Sequence, residues 1–391
     1  MSEPECTSTR IRIVGLFPEL LGVGGVQEAG RLTAAALSEI ALRRGWSADF
    51  LSINDPPGPH SVAVAGRAIS FRGFGRAKIS FVLSAIRCGR SAAKDGTPII
   101  VAGHPNLAVP ADWMRRVSPR AKTIVMAHGV EVWKPLPLFR RRALLRADLV
   151  LAPSRDTVRR LIDAQGVARG KARRLPWPLS AGFLRMADAP TGLPVPPAFP
   201  QVGPVILTVG RWASAEQYKG ADELIRTIPQ LQTAAPGLHL VAVGAGDDLP
   251  RLQQLATDLG IADRVHFLQN LSREEVAACY ASADLFALPS TGEGFGLVYL
   301  EAMAFSKAVV GVACGGTTDV VEDGVNGLLV PPHDAGALSH ALGRLLSDEP
   351  LREQLGRRGA EIVRRKYEFG VFRGELESIL NDSSLRAQAM A

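Results

Sequence analysis

ADLFALPSTGEGFGLVYLEAMA, residues Ala283–Ala304, starts with an apolar run that ends at Leu288 and Pro289. A turn containing Gly292, Gly294 and Gly296 follows, and then a run rich in Leu, Met and Ala. The first piece has the length and composition of a buried parallel strand, the last that of a helix. Glycines between them let the backbone bend tightly and leave the first amides of the helix open to an anion. Glu293 lies in the turn and Glu301 well inside the helix. Their spacing keeps them off one helical turn, so they suit different parts of one extended ligand. Equally, Glu293 suits the helix dipole alone and Glu301 an exposed helix position.

The same strand-turn-helix unit recurs on both sides of this stretch. The second half offers VILTVGR, LHLVAVGAG, RVHFLQN, KAVVGVACGG and GLLVPP, separated by helical stretches such as ADELIRTIPQLQTAA. The first half offers IRIVGLF, TPIIVAG, AKTIVMAHG and ADLVLAPS, with helix-like RLTAAALSEIALRRG and SRDTVRRLIDAQG between them. Between the halves lies MADAPTGLPVPPAFPQVGP, where five prolines fall within eleven residues from Pro190. That composition predicts a stiff linker. The pattern predicts an α/β protein of two doubly wound Rossmann-like domains facing across a cleft, because open parallel sheets bind ligands at the carboxyl ends of their strands. The predicted bounds are a first domain over 1–185, a linker over 186–203, a second domain over 204–369, and a last helix-like segment over 370–391.

The 391 residues exceed one ordinary core. A hydrophobic share of 47% with 21% charged residues is that of a globular protein. No run approaches a membrane span, and the start MSEPECTSTRIRIVGLF does not read as a secretory signal. Cys6, Cys88, Cys279 and Cys314 are scattered without metal-ligand spacing, as reduced thiols of a cytoplasmic protein would be. The net charge of +7 hides an asymmetry: residues 1–200 carry 29 Lys and Arg against 14 Asp and Glu, the remainder 16 against 24. A basic first half suits an anionic partner or simply a solvated surface.

Three further stretches follow strands. GVGGVQ, Gly22–Gln27, makes a glycine-rich entry to a helix without the dinucleotide fingerprint or a Walker lysine. AHGVEVW, Ala127–Trp133, sets His128 three residues before Glu131, fit for hydrogen-bonding hydroxyls, for proton transfer, or for a structural turn. VGRWASAEQYKG, Val209–Gly220, puts Arg211 after a strand and Lys219 before a helix, where two cations suit a diphosphate or a solvated loop.

Together these residues resemble the retaining glycosyltransferases of family 4, which have the GT-B fold. The likeness covers nearly the whole chain and is strongest from Val205 to Asp334. It implies a nucleoside-diphosphate sugar as donor substrate, with Arg211 and Lys219 on its diphosphate and the backbone of Gly294, Phe295, Gly296 and Leu297 on the phosphates. Glu293 would contact hydroxyls of the transferred sugar and Glu301 the ribose. His128 would touch the sugar, and Gly24 and Gly25 would approach the diphosphate or the acceptor. Glu131 completes the pattern. The family's reaction implies front-side attack with retention, no cofactor and no metal. The resemblance also implies that residues 1–185 bind the acceptor, that 204–369 bind the nucleotide sugar, and that 370–391 return to the first domain. Two departures stand out: a longer loop between Arg211 and Lys219, and Thr317-Thr318-Asp319 where proline and glutamate are frequent.

The implied activity is transfer of a hexose, from GDP-mannose or UDP-glucose, to a glycan or lipid-linked acceptor in cell-surface polysaccharide biosynthesis. No nucleic-acid partner is expected. WKPLPLFRRRALLRA, Trp133–Ala147, sets apolar residues beside four arginines, suited to peripheral contact with anionic lipid at the inner face of the cell membrane, or to a solvated helix. Alternatives are a glycoside hydrolase using two carboxylates, a sugar-nucleotide epimerase, and a non-catalytic nucleotide-sugar or polyanion binder.

Overall fold

The computed structural model describes residues 10–382. Cys6, and residues 383–391 of the expected returning segment, lie outside them. The chain forms two compact units, one running to Pro178 and resuming at Phe369, the other spanning Leu179–Glu368.

The first unit holds eight strands: β1 (Arg10–Phe17), β2 (Ser47–Ser52), β3 (Gly58–Val64), β4 (Arg67–Gly73), β5 (Gly96–Ala102), β6 (Lys122–Met126), β7 (Leu149–Ala152) and β8 (Ala172–Arg174). Their order is β3-β4-β2-β1-β5-β6-β7-β8. All neighbours are parallel except the β3–β4 hairpin. Every residue of β6 and β7 is buried, as helices on both faces of a parallel sheet require. β2, the hairpin and β8 were not expected from the sequence. SADFLS, GPHSVAV and RAISFRG are half-exposed and polar, so no apolar run announces them.

The second unit holds β9 (Val205–Val209), β10 (His239–Val243), β11 (Val265–Leu268), β12 (Leu285–Leu288), β13 (Ala308–Val312) and β14 (Leu328–Val330). They lie all parallel in the order β11-β10-β9-β12-β13-β14. Renumbered from β9, this is the 3-2-1-4-5-6 order of a dinucleotide-binding sheet. The direction of winding reverses between β9 and β12.

The boundary between units differs from the expected one. The helix Ala181–Asp188 belongs to the second unit, because Phe183 is buried edge-on against the rings of Tyr280 and Phe305. The proline-rich stretch therefore begins inside that unit and is not its border: proline fixes local conformation, whereas apolar burial decides membership. The helix Phe369–Asn381 packs back on the helix Gly25–Arg44 within the first unit, where Arg373 pairs with Glu39 and Arg44 with Glu377. Phe372 meets the Trp177 ring at 6.0 Å.

Candidate functional site

The sequence stretch with the two carboxylates leaves β12 at the point where the second sheet reverses, beside the loop leaving β9 that carries Arg211 and Lys219. Ligands of doubly wound sheets bind at such crossings. The two loops are locked together. Gly220 turns with φ of +70°, and a Cβ there would lie 2.4 Å from the Pro289 carbonyl oxygen. Thr291 N–H donates to the Tyr218 carbonyl at 2.8 Å, and Gly292 lies against the Tyr218 ring.

This interlocking brings Lys219 Nζ to 3.0 Å from Glu293 Oε1. Both side chains are mostly shielded, at 16% and 13% exposure, so the pair is a fixed part of the loop cluster. Gly316 N–H donates to the Glu293 carbonyl at 2.8 Å, and a Cβ on Gly316 would meet the Gly294 carbonyl oxygen at 2.3 Å. The loop after β13 thus sets the backbone of the Glu293 turn. Gly296, with φ of +94°, starts the helix Leu297–Ala304. The Phe295 side chain beside it is buried.

Glu301 stands in the second turn of this helix. Tyr280 Oη donates to Glu301 Oε2 at 3.0 Å. Burial and the Glu301 charge together hold the Tyr280 phenol well above its ordinary range, so it remains a donor. Arg211 is 72% exposed and pairs with Glu216. The sequence had brought Arg211 and Lys219 together as one clamp; here each has its own carboxylate.

In the first unit the winding reverses between β1 and β5. The loop after β1 hangs from the buried Asp55, which accepts from Leu20 and Leu21 N–H at 2.7 and 3.0 Å. Arg31 donates to the Leu20 and Gly22 carbonyls from the other side. Gly24 (φ +141°) and Gly25 begin the helix, and Val23 beside them is almost fully exposed.

His128 follows β6. Its backbone N–H donates to Glu131 Oε1 at 2.6 Å, so Glu131 closes the turn that carries His128. The Nε2–H of His128 donates to the Gly103 carbonyl at 2.8 Å, which in the neutral ring leaves Nδ1 as acceptor. Nδ1 is enclosed and has no partner among the described residues. The ring stacks between His104 and Trp177, at 5.6 and 5.3 Å. Burial, with His128 adding to it, pushes His104 down to about 4.

Beyond the sites, the helix Leu138–Arg146 exposes Leu138 and Phe139 and carries no carboxylate. No helix among the described residues is long and apolar enough to cross a membrane. Among those residues, no group of three or more His, Cys, Asp and Glu could hold a metal ion, and Cys88, Cys279 and Cys314 form no disulfide.

Two family models match this chain: one described as Glycosyltransferase Family 4 over residues 24–179, and one as Glycosyl transferases group 1 over 195–362. The chain belongs to glycosyltransferase family 4. Among curated family members, the GDP-mannose-dependent alpha-(1-6)-phosphatidylinositol monomannoside mannosyltransferase of Mycolicibacterium smegmatis is 35% identical over 62% of this chain and 65% of its own length. A D-inositol 3-phosphate glycosyltransferase of Acidothermus cellulolyticus is 34% identical over 61% of this chain and 54% of its own. The chain therefore matches between half and two thirds of these relatives' lengths.

Solved structures with this fold include Anabaena HepE in complex with UDP and glucose, with a TM-score of 0.70, 19% identity, and 94% of this chain and 99% of that one covered. Sucrose-phosphate synthase from Thermosynechococcus elongatus gives 0.71 and 22%, covering 98% and 100%. The two-domain Rossmann-like architecture is shared with both.

Several positions of this family 4 chain escaped the sequence reading. Tyr280, Glu216 and the glycine pair Gly315-Gly316 are set against the motif residues only by folding. His104 had a visible signal, since GHP directly follows the strand TPIIVA.

Proposed function

We propose that this protein transfers a hexose, with retention of configuration, from a nucleoside-diphosphate sugar to a glycan or lipid-linked acceptor in cell-surface polysaccharide biosynthesis. The observation that carries the reading is the Lys219–Glu293 pair, fixed at the reversal point of a sheet with dinucleotide-binding order. A cation and a carboxylate 3.0 Å apart suit a ligand with phosphate beside sugar hydroxyls. Lys219 and Arg211 steady the charge that grows on the departing diphosphate, which is electrostatic transition-state stabilisation. Glu293 accepts hydrogen bonds from the transferred sugar, and Glu301, held by Tyr280, accepts from the ribose. The amides of Gly294–Leu297 face the phosphates. His128, Gly24 and Gly25 serve the sugar and the acceptor, and the reaction needs neither metal nor cofactor.

GDP-mannose and UDP-glucose are the candidate donors, and the GDP-mannose-dependent relative of Mycolicibacterium smegmatis supports the first. The enzyme works in the cytoplasm. The exposed Leu138 and Phe139, beside Arg140, Arg142 and Arg146, support peripheral contact with anionic lipid at the inner membrane face. Sedimentation with phosphatidylglycerol vesicles, lost in Phe139→Glu, is the check on that contact. An unaltered yield of the variant in the pellet would dismiss it.

The deciding experiment is a thermal-shift screen against GDP, UDP, ADP and their hexose conjugates, repeated with Lys219→Ala. One nucleotide should raise the midpoint of the parent protein and not of the variant. Silence across the panel would sink the donor site and favour a hydrolase or a polyanion binder.

A further inference from the structure

The loop between Arg211 and Lys219 has its own anchors. Trp212 N–H donates to the Ala245 carbonyl at 3.0 Å, and the Trp212 carbonyl accepts from Asp248 N–H at 2.9 Å. Ser214 donates to Asp247 twice, from its backbone N–H at 2.8 Å and its hydroxyl at 2.6 Å. These hydrogen bonds hold the Asp247 carboxyl below its usual range, so it stays ionised and the anchor persists. Gln217 reaches Asp248 Oδ1 at 3.4 Å. The loop is thus pinned to the exit of β10.

Between the pins, Glu216 leaves the helical conformation, with φ −121° and ψ 29°, and its carboxylate pairs with the Arg211 guanidinium. The two partners differ in freedom. Glu216 is 13% exposed and set by the loop, whereas Arg211 is 72% exposed on a long side chain. The carboxylate is the fixed member, and the guanidinium comes to it.

The charges around the candidate diphosphate site then balance: Arg211 with Glu216, Lys219 with Glu293. Glu293 has a second task in the proposed reaction, because sugar hydroxyls lie within its chemistry. Glu216 has none. We propose that Glu216 is a built-in competitor for the donor's diphosphate. It occupies Arg211, gives it up when a nucleoside diphosphate binds, and recaptures it as the nucleotide product leaves. The inference rests on the donor-site reading above and deepens it.

Two electrostatic effects point the same way. Binding must exchange the Arg211–Glu216 contact for an Arg211–phosphate contact, and a carboxylate beside the site repels an anionic ligand. An exposed ion pair is worth up to about 1 kcal/mol, which sets a modest change of about threefold to fivefold in affinity. The alternative is that Glu216 orients Arg211 for the phosphates, in which case its removal weakens binding.

Calorimetric titration of the 391-residue chain with GDP and UDP separates these readings, using Glu216→Gln, Arg211→Gln and the double variant. Guanosine and uridine serve as phosphate-free controls, and melting curves establish that each variant is folded. Glu216→Gln should bind the cognate diphosphate about threefold to fivefold more tightly, with the gain shrinking as salt screens the site. The gain should be absent for the free nucleoside and smaller in the Arg211→Gln background. Unchanged or weaker diphosphate binding by Glu216→Gln overturns the competitor role, as does an equal gain for the nucleoside. Failure of the parent protein to bind either nucleotide overturns the donor-site reading itself, and this inference with it.

Discussion

At the reversal point of the second sheet, the loops leaving β9, β12 and β13 press backbone on backbone; Lys219–Glu293 joins two of them and Arg211–Glu216 lies within the first. At that of the first sheet, the loop after β1 hangs from Asp55, and the exits of β5 and β6 are filled by the stacked rings of His104, His128 and Trp177. One crossing is organised around ion pairs and the other around stacked rings and a shaped turn. Under the proposed reaction the first pattern suits the donor's diphosphate, because phosphate is bound through fixed cations and amides.

Loss of charge at the second crossing should be the most damaging change. Lys219→Ala leaves Glu293 without its partner and, under the proposed reaction, removes a cation from the departing diphosphate, so turnover should fall by about 100-fold to 1,000-fold. Steady-state assay with the cognate donor is the check, and a loss below tenfold would move the leaving-group role elsewhere. Within the same crossing the two carboxylates should separate. Glu293→Gln should lower kcat by about tenfold to 100-fold with little change in nucleotide affinity. Glu301→Ala should raise the donor KM by about tenfold, the worth of a charged hydrogen bond. The reverse pattern would exchange their roles.

Loop interlocking predicts a smaller effect, on stability. Gly220 and Gly45 both have positive φ, +70° and +65°, but a Cβ on Gly220 strikes the Pro289 carbonyl while one on Gly45 meets nothing within 4 Å. Gly45→Ala should cost about 1 kcal/mol from the backbone alone, and Gly220→Ala about 2 kcal/mol or more. Equal losses in urea unfolding would mean the second loop cluster is softer than its packing implies.

The smallest effect concerns pH. The depressed pKa of His104, about 4 against an ordinary value of 6.5, means the unfolded chain binds more protons between those values. Its contribution is present above pH 6.5 and is lost as the pH falls toward 4. His239 and His266, whose values are also lowered by burial, act with the same sign in the second unit. His104→Gln should therefore flatten only part of the pH dependence of stability. An unchanged profile would show that the ring stack leaves His104 open to water.

The sequence alone determined the strands of the second sheet and the glycine-rich turns, and it singled out Glu293, Lys219 and His128 as candidate site residues. Apolar runs, glycine and charged residues act locally or with a short period, so they can be read in a line of letters. It missed β2, the β3–β4 hairpin and β8, whose half-exposed residues carry no apolar run. It placed the domain border at the prolines, although Phe183 fixes that segment to the second unit through rings that follow it by about a hundred residues. Only the tertiary structure decided which carboxylate meets which cation. Arg211 and Lys219 share one loop, yet Lys219 meets Glu293, 74 residues away, and Arg211 meets Glu216, five residues away. The Lys219 pairing depends on which strand exits lie side by side, and strand order is a property of the folded sheet; the Arg211 pairing depends on how the loop after β9 folds.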